Sequence, residues 1–182
     1  RRAEGVRGGI GPSGRDARPG CQNRGVENRG GLAPLSRALA QRAGAPDENV
    51  PAERKAAVAA ILRERSGEAE LLFIRRAEHP RDPWSGQMGL PGGRVEPVDA
   101  SPLDAAVRET REEIGLDLGA LGRLLGRLSE VRTHLPLGSV PHSVVPFVFS
   151  VDGDPPLAPN EEVQEALWVP LAFLADGRNR SS

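Results

Sequence analysis

The sequence has a single cysteine, Cys21, in 182 residues, which excludes an internal disulfide and any cysteine-built zinc or iron–sulfur centre. Its three histidines, His79, His134 and His142, are widely spaced and form no helical metal pair. No apolar run approaches the roughly 18 residues that a membrane span needs. No short apolar segment follows the first residues, so no secretory signal is expected and a reduced, cytoplasmic setting is the default. Charge of one sign is lacking too. A net charge of −1 gives no general field toward nucleic acid or an anionic membrane. Lys55 is the only lysine, and this preference for arginine carries no functional weight.

What is present divides unevenly along the chain. Residues 1–31 are Gly/Arg-rich and almost free of large apolar side chains, so a disordered tail is expected there. The stretch 32–54 reads as a short amphipathic helix, PLSRALAQR (34–42), and a connecting loop. A folded domain is expected over 55–176, with a disordered end at 177–182. Within it, AAVAAIL (56–62) and LLFIRR (71–76) flank a turn near Ser66-Gly67 and predict an antiparallel hairpin. Pro and Gly are so dense over 77–93 that no regular structure is expected.

The next segment predicts the best-defined helix. Ser101 suits the N-cap, Pro102 the first helical position, and Asp104 completes a pair resembling a capping box. Leu103, Ala106, Val107, Thr110 and Ile114 form its apolar stripe, and Gly115 ends it. Strands are expected near Leu124–Leu128 and over 143–151, the latter at an edge or bulge because Pro146 lies inside it. ALWVPLAFL (166–174) reads as a strand running into a helix. Strands and helices mix without a βαβ rhythm, which indicates an α+β fold.

The helix carries RETREEIG (108–115), in which Glu109, Glu112 and Glu113 fall at i, i+3 and i+4 and share one stripe. Like charges at a helix C-terminus are unfavourable, and the macrodipole adds to the cost. Taken alone, such a run is most often a solvated Glu/Arg face. A hard divalent cation would resolve the repulsion better, since Mg²⁺ takes carboxylate oxygens jointly with substrate phosphates. The Gly-rich turn LPGGR (90–94) just before the helix lets backbone approach a phosphate or the helix closely.

LPGGR followed by RETREEIGL resembles the Nudix box. Arg108, Glu109, Glu112, Glu113, Gly115 and Leu116 match its second half position by position. Two departures show. Thr110 stands where an apolar residue is usual, and the spacing from Gly93 to Arg108 is one residue longer than the pattern, with Asp99 the nearest acid to the expected glutamate. The upstream segment LLFIRRAEHPRDPWSGQMGLPGG further resembles the coenzyme A pyrophosphatase branch, through Leu71, Leu72, Arg75, Gly86, Gln87, Pro91, Gly92 and Gly93.

The resemblance implies a Nudix-type α/β/α sandwich around a mixed sheet, and metal-dependent hydrolysis of a diphosphate linkage in a nucleoside diphosphate derivative. Coenzyme A or an acyl derivative is the leading substrate. It implies Mg²⁺ or Mn²⁺ held by Glu109 and Glu113, with Glu112 a further or water-mediated ligand and the Gly93 carbonyl within reach. Glu109 or Glu112 would orient or deprotonate a water. Arg108 would pair with Asp99 and hold Glu109 in place. Glu162, with Glu161 second, would join from outside the box; a solvated loop pair is the equal alternative. Arg75, Arg76 and Arg81 can reach substrate phosphates, although strand-end arginines are more often merely solvated; Arg75 ranks first only through the resemblance, and Gly92 borders the substrate.

For other residues the plainer reading holds or ties: Trp84 lines a pocket for an adenine or pantetheine group or, equally, packs on its own domain, His134 and His142 are loop surface, and Trp168 is core. Members of this branch usually continue with a further strand and a C-terminal helix, so a Nudix domain lacking that helix is expected here. The partner implied is a small nucleotide, with no nucleic acid and no membrane, and a homodimer is one open option for assembly. Two other readings stand beside catalysis: a non-catalytic Nudix module binding nucleotides or protein, and nucleic-acid binding through the Arg-rich tail.

Overall fold

The computed structural model describes residues 32–41, 50–51, 54–79, 84–133 and 142–179. In chain order the elements are α1 (Ala33–Gln41), β1 (Lys55–Arg65), β2 (Glu68–Arg76), β3 (Met88–Gly89), β4 (Gly92–Arg94), α2 (Pro102–Ile114), α3 (Leu118–Leu121), β5 (Gly122–Arg127), β6 (Val131–Thr133), β7 (His142–Val151), β8 (Val163–Pro170) and α4 (Leu171–Ala175).

The hairpin forms as its pattern predicts. β1 and β2 pair antiparallel from Arg65↔Glu68 to Leu62↔Leu71, closing through Ser66 and Gly67, both at positive φ. The two strands then part, and residues 88–94 fill the opening. β3 pairs with β2 at Ile74↔Gly89, and β4 pairs with β1 at Val58↔Gly92. Pro91 joins the wedge by accepting a bond from the Ala59 N–H at 2.8 Å. Here the expectation of no regular structure over 77–93 is corrected. Wedged between two strands, this backbone has ladder partners on both sides, and its glycines allow the close approach.

The sheet is mixed. β1 runs parallel to β7 across Lys55↔Ser143 to Leu62↔Ser150, and the remaining pairings are antiparallel. β7 is therefore an interior strand, which corrects the edge alternative at Pro146, and the irregularity in its pairing falls between Leu124 and Gly126 of β5 rather than at the proline. β5 covers β7 down to Arg127↔Phe147, and β6 takes over at Val131↔Val144. Pro146 falls at this change-over, on the side where its carbonyl accepts from Leu128 N–H at 3.0 Å. The missing proline N–H thus lies where no ladder bond is required.

Alternation along the strands gives two apolar layers. Ala57, Ala59 and Ile61 of β1, Leu72 and Ile74 of β2, and Val145, Phe147, Phe149 and Val151 of β7 face α2, against Ala105, Ala106 and Ile114. Ala60, Leu62 and Val148 face the other way, against Leu32 and Leu39. The helix α1, which the sequence places ahead of the domain, packs on this second face with Leu39 against Gly126 of β5. Helices on both faces of a mixed sheet give the expected α+β sandwich. Trp168 of β8 packs on the α2-side layer with the Arg63 guanidinium 4.2 Å from its ring centroid.

At the C-terminal end, residues assigned to a disordered segment are partly ordered. Gly177–Asn179 form a 3-10 turn, and the Asn179 amide donates to the Phe173 carbonyl at 2.8 Å. No helix among the described residues is long and apolar enough to cross a membrane.

Candidate functional site

The helix α2 starts and stops where its local signals lie. Ser101 Oγ accepts from the Asp104 N–H, Pro102 opens the first turn, and Gly115 closes the helix in the left-handed region at φ 70°. Its buried side chains are Ala105, Ala106, Thr110, Glu113 and Ile114, so Ala105 joins the predicted stripe while Leu103 and Val107 are only partly buried. Thr110 replaces an apolar residue at no polar cost, because its hydroxyl donates to the Ala106 carbonyl at 2.7 Å.

The double-glycine strand β4 lies directly against the acidic part of this helix. Gly92 sits at φ 148°, and a Cβ there would come within 2.2 Å of the Ala57 carbonyl oxygen, so only glycine fits. Its N–H donates to Glu113 Oε2 at 2.8 Å. A Cβ on Gly93 would meet Glu109 Oε1 at 2.4 Å, so the space a side chain would fill is occupied by a carboxylate. Glu113 and Glu109 are thus both turned toward the double-glycine strand.

Arg108 organises the other side. Its Nε and Nη2 each donate to one Asp99 oxygen at 3.0 Å, and Nη2 also donates to the Arg94 carbonyl at 3.1 Å. Nη1 donates to Glu109 at 2.9 Å and to Glu112 at 3.0 Å. The expected Arg108–Asp99 pair is present, so the extra residue before the helix is absorbed in the loop. Asp99 is fixed further by accepting from the Glu96 N–H at 2.8 Å. The paired guanidinium holds the Asp99 carboxyl below the usual carboxylate range, and Asp99 in turn raises Arg108.

The electrostatics separate the three glutamates. Burial pushes Glu113 up to about 7; Glu109 and Glu162 add to the rise, while the Gly92 N–H and the Arg76 charge oppose it. Glu109 is also raised by burial, partly offset by its bond to Arg108. Glu112 is the outlying member, with its side chain 56% exposed and bonded to Arg108. Among the described residues no three His, Cys, Asp or Glu side chains surround one point.

The loop before β8 closes the C-terminal end of α2. Ala158 and Asn160 donate their N–H groups to the Ile114 and Glu113 carbonyls at 2.8 and 2.9 Å. This holds Glu162 where its charge acts on Glu113, although Glu161 and Glu162 are both exposed. Of the candidate arginines, Arg75 alternates onto the face away from α2, while Arg76 shares the face of Leu72 and Ile74 and its charge acts on Glu113. Arg76, and not Arg75, is thus the one on the face of Glu113. Arg81 and His134 lie outside the described residues, and Trp84 is 48% exposed on its loop.

The donors at this corner are carboxylate oxygens beside a backbone stripped of side chains, a set that suits a hard divalent cation. Two raised carboxyls on one helix face and a third acid nearby also leave negative charge that such a cation would balance. Glu109 and Glu113 therefore fit Mg²⁺ or Mn²⁺, with Glu162 within electrostatic reach.

Comparison with known proteins agrees with this geometry. Residues 53–181 match the family described as NUDIX domain, and the chain belongs to the Nudix family. It is similar to an uncharacterized protein of Schizosaccharomyces pombe, with 39% identity over 107 residues covering 57% of this chain and 32% of that protein. An uncharacterized Nudix hydrolase, NudL, of Yersinia pestis is 34% identical over 105 residues, covering 57% of this chain and 49% of that protein. The chain thus matches half or less of the length of these relatives. A C. elegans Ap4A hydrolase crystallised as a binary complex shares the fold, with a TM-score of 0.54 and 22% identity, covering 66% of this chain and 82% of that one.

Proposed function

We propose that this protein hydrolyses a diphosphate linkage in a nucleoside diphosphate derivative, using Mg²⁺ or Mn²⁺ held by Glu109 and Glu113. The observation that carries the reading is the convergence of these two carboxylates on the Gly92-Gly93 strand, with Gly92 N–H bonded to Glu113 and Gly93 leaving room for Glu109. Glu112, the Gly93 carbonyl and Glu162 complete the proposed ligand set. When bound, the cation neutralises diphosphate oxygens and lowers the pKa of a nearby water.

The chain's own residues supply the rest. Glu109, raised by burial, is suited to accept the water's proton on a carboxylate oxygen, with Glu112 as the second candidate. Arg108 acts through its bonds to Glu109 and Asp99, as a positioning residue. Gly92 presents bare backbone to the substrate. No covalent nucleophile is required.

Coenzyme A or an acyl derivative, giving 3',5'-ADP and 4'-phosphopantetheine, is the first substrate to test, on the similarity of the segment from Leu71 to Gly93 to that branch. ADP-ribose, NADH and dinucleotide polyphosphates are the competitors, the last in line with the named C. elegans relative. A product-identified screen of these compounds with Mn²⁺, using Glu113→Gln as control, tests the reading. Release of a phosphorylated product by the wild type alone supports it, and no product from any of them sinks it. The second reading, a non-catalytic nucleotide-binding module, draws on Asp99 standing off the register of the box. Calorimetric binding of the same nucleotides without turnover would select that one.

A further inference from the structure

We infer that Arg76 is the side chain that grips the substrate's diphosphate, and that the box arginine Arg108 does not. This role presupposes the diphosphate chemistry proposed above and adds the anchoring residue that the box lacks.

A guanidinium has five N–H donors. In Arg108 all five are engaged: one at Nε to Asp99, two at Nη1 to Glu109 and Glu112, and two at Nη2 to Asp99 and the Arg94 carbonyl. It has none left for a phosphate without breaking the contacts that hold the carboxylates. Beside the divalent cation, any protein cation on a diphosphate oxygen would then come from elsewhere on the α2 side of the sheet.

Strand alternation selects it. Leu72 and Ile74 face α2, so Arg76 follows on that face at the end of β2, while Arg75 faces away. On β4, Gly93 faces Glu109, which turns Arg94 outward. The backbone fixes where Arg76 emerges. Its N–H donates to Gln87 at 3.0 Å, and the next N–H, of Ala77, donates to the Glu162 carbonyl at 2.8 Å. Arg76 thus stands between the loop carrying residues 84–87 and the loop carrying Glu162, on the face occupied by Glu113. Its effect on Glu113 agrees with that placement. The planar fork of arginine matches two oxygens of a diphosphate.

The plainer role for Arg76 is a structural counter-charge to Glu113 and Glu162, and the two roles separate in binding. Pyrophosphate is titrated calorimetrically into wild type, Arg76→Gln, Arg76→Lys and Arg75→Gln in saturating Mg²⁺, and Mn²⁺ alone is titrated with detection by electron paramagnetic resonance. Arg76→Gln should weaken pyrophosphate about 10- to 100-fold, the loss of a charge-assisted contact. Arg76→Lys should recover part of this, and Arg75→Gln should stay within about 3-fold of wild type. Mn²⁺ alone should bind Arg76→Gln at least as tightly as wild type, because a repelling charge is gone. Unchanged pyrophosphate affinity in Arg76→Gln overturns the inference, and so does a parallel loss of Mn²⁺. A wild type that binds Mn²⁺ but no pyrophosphate would instead remove the diphosphate reading, and this inference with it.

Discussion

Glu113 accepts the Gly92 N–H at 2.8 Å, joining the last turn of α2 to the strand wedged between β1 and β2. One bond thus connects a buried acid to a backbone position that no other residue can occupy. It also explains how an acid sits 3% exposed at a helix C-terminus: the N–H and Arg76 supply part of its compensation. The remainder is left as a raised pKa, an open demand for positive charge.

Gly92→Ala should be the most disruptive single change at the site. Its Cβ would lie 2.2 Å from the Ala57 carbonyl oxygen and 2.6 Å from Val58 Cα, backbone atoms that cannot swing away, at a φ that alanine disfavours. We expect a loss of about 3 kcal/mol or more in urea unfolding. Gly93→Ala meets the mobile end of Glu109 instead, so it should cost less stability but weaken Mn²⁺ binding. A Gly92→Ala protein as stable as wild type would contradict the wedge geometry.

Metal-free stability should fall as pH rises from about 4.5 toward about 7. Glu113 titrates near 7 when folded and near 4.5 when unfolded, so over that window the folded state holds more protons. The full effect is about 3 kcal/mol, since a tenfold difference in proton affinity is worth about 1.4 kcal/mol. Glu113→Gln keeps an acceptor for Gly92 but carries no charge, so it should flatten the slope and be more stable than wild type above pH 7. Added Mg²⁺ should stabilise wild type at pH 8 and leave this variant unmoved. Thermal melts at pH 5 and pH 8, with chelator and with Mg²⁺, decide the matter.

Local signals were the legible part of this fold. Ser101, Pro102 and Gly115 bound α2 because capping and helix termination act over a few residues, and the Ser66-Gly67 turn is equally local. The Arg108–Asp99 pair could be anticipated, despite the extra residue, because the acid nearest the expected position is on the same loop. What stayed hidden depends on which side of a strand faces the helix. Arg75 and Arg76 are adjacent in sequence, and only the packing of Leu72 and Ile74 under α2 separates them. Pro146 looked like an edge marker because nothing local shows that its neighbour strand changes from β5 to β6 beside it. Within the charged run nothing marks Glu113 as buried and Glu112 as exposed; the partner strand decides.

Asp99 should be as important as a member of the box. Its side chain is 3% exposed and takes two bonds from Arg108, so Asp99→Asn should cost about 2 kcal/mol and loosen both Glu109 and Glu112. The sign of its pH dependence is opposite to that of Glu113. A depressed folded pKa gives stability that is present above about 3.8 and is lost as pH falls through the lowered value. In Asp99→Asn, acid unfolding in the presence of chelator should therefore begin from a lower plateau and be shallower. Activity toward the best substrate should drop about 10- to 100-fold, mainly in kcat, because the groups displaced are positioned through Arg108 rather than bound to substrate.

The two adjacent acids before β8 should behave differently. Asn160 N–H on the Glu113 carbonyl and Ala77 N–H on the Glu162 carbonyl hold this loop to both the helix and β2. The Glu162 charge reaches Glu113 and helps raise it. Glu162→Gln should therefore lower the upper end of the Glu113 titration window, and as a proposed ligand it should also weaken Mn²⁺ binding about 10-fold. The two effects oppose each other in stability, since metal-free protein gains above pH 7 while the metal-loaded protein gains less. Glu161→Gln should change neither. Paired Mn²⁺ titrations and metal-free melts of the two variants give the answer, and identical behaviour of the neighbours would remove Glu162 from the site.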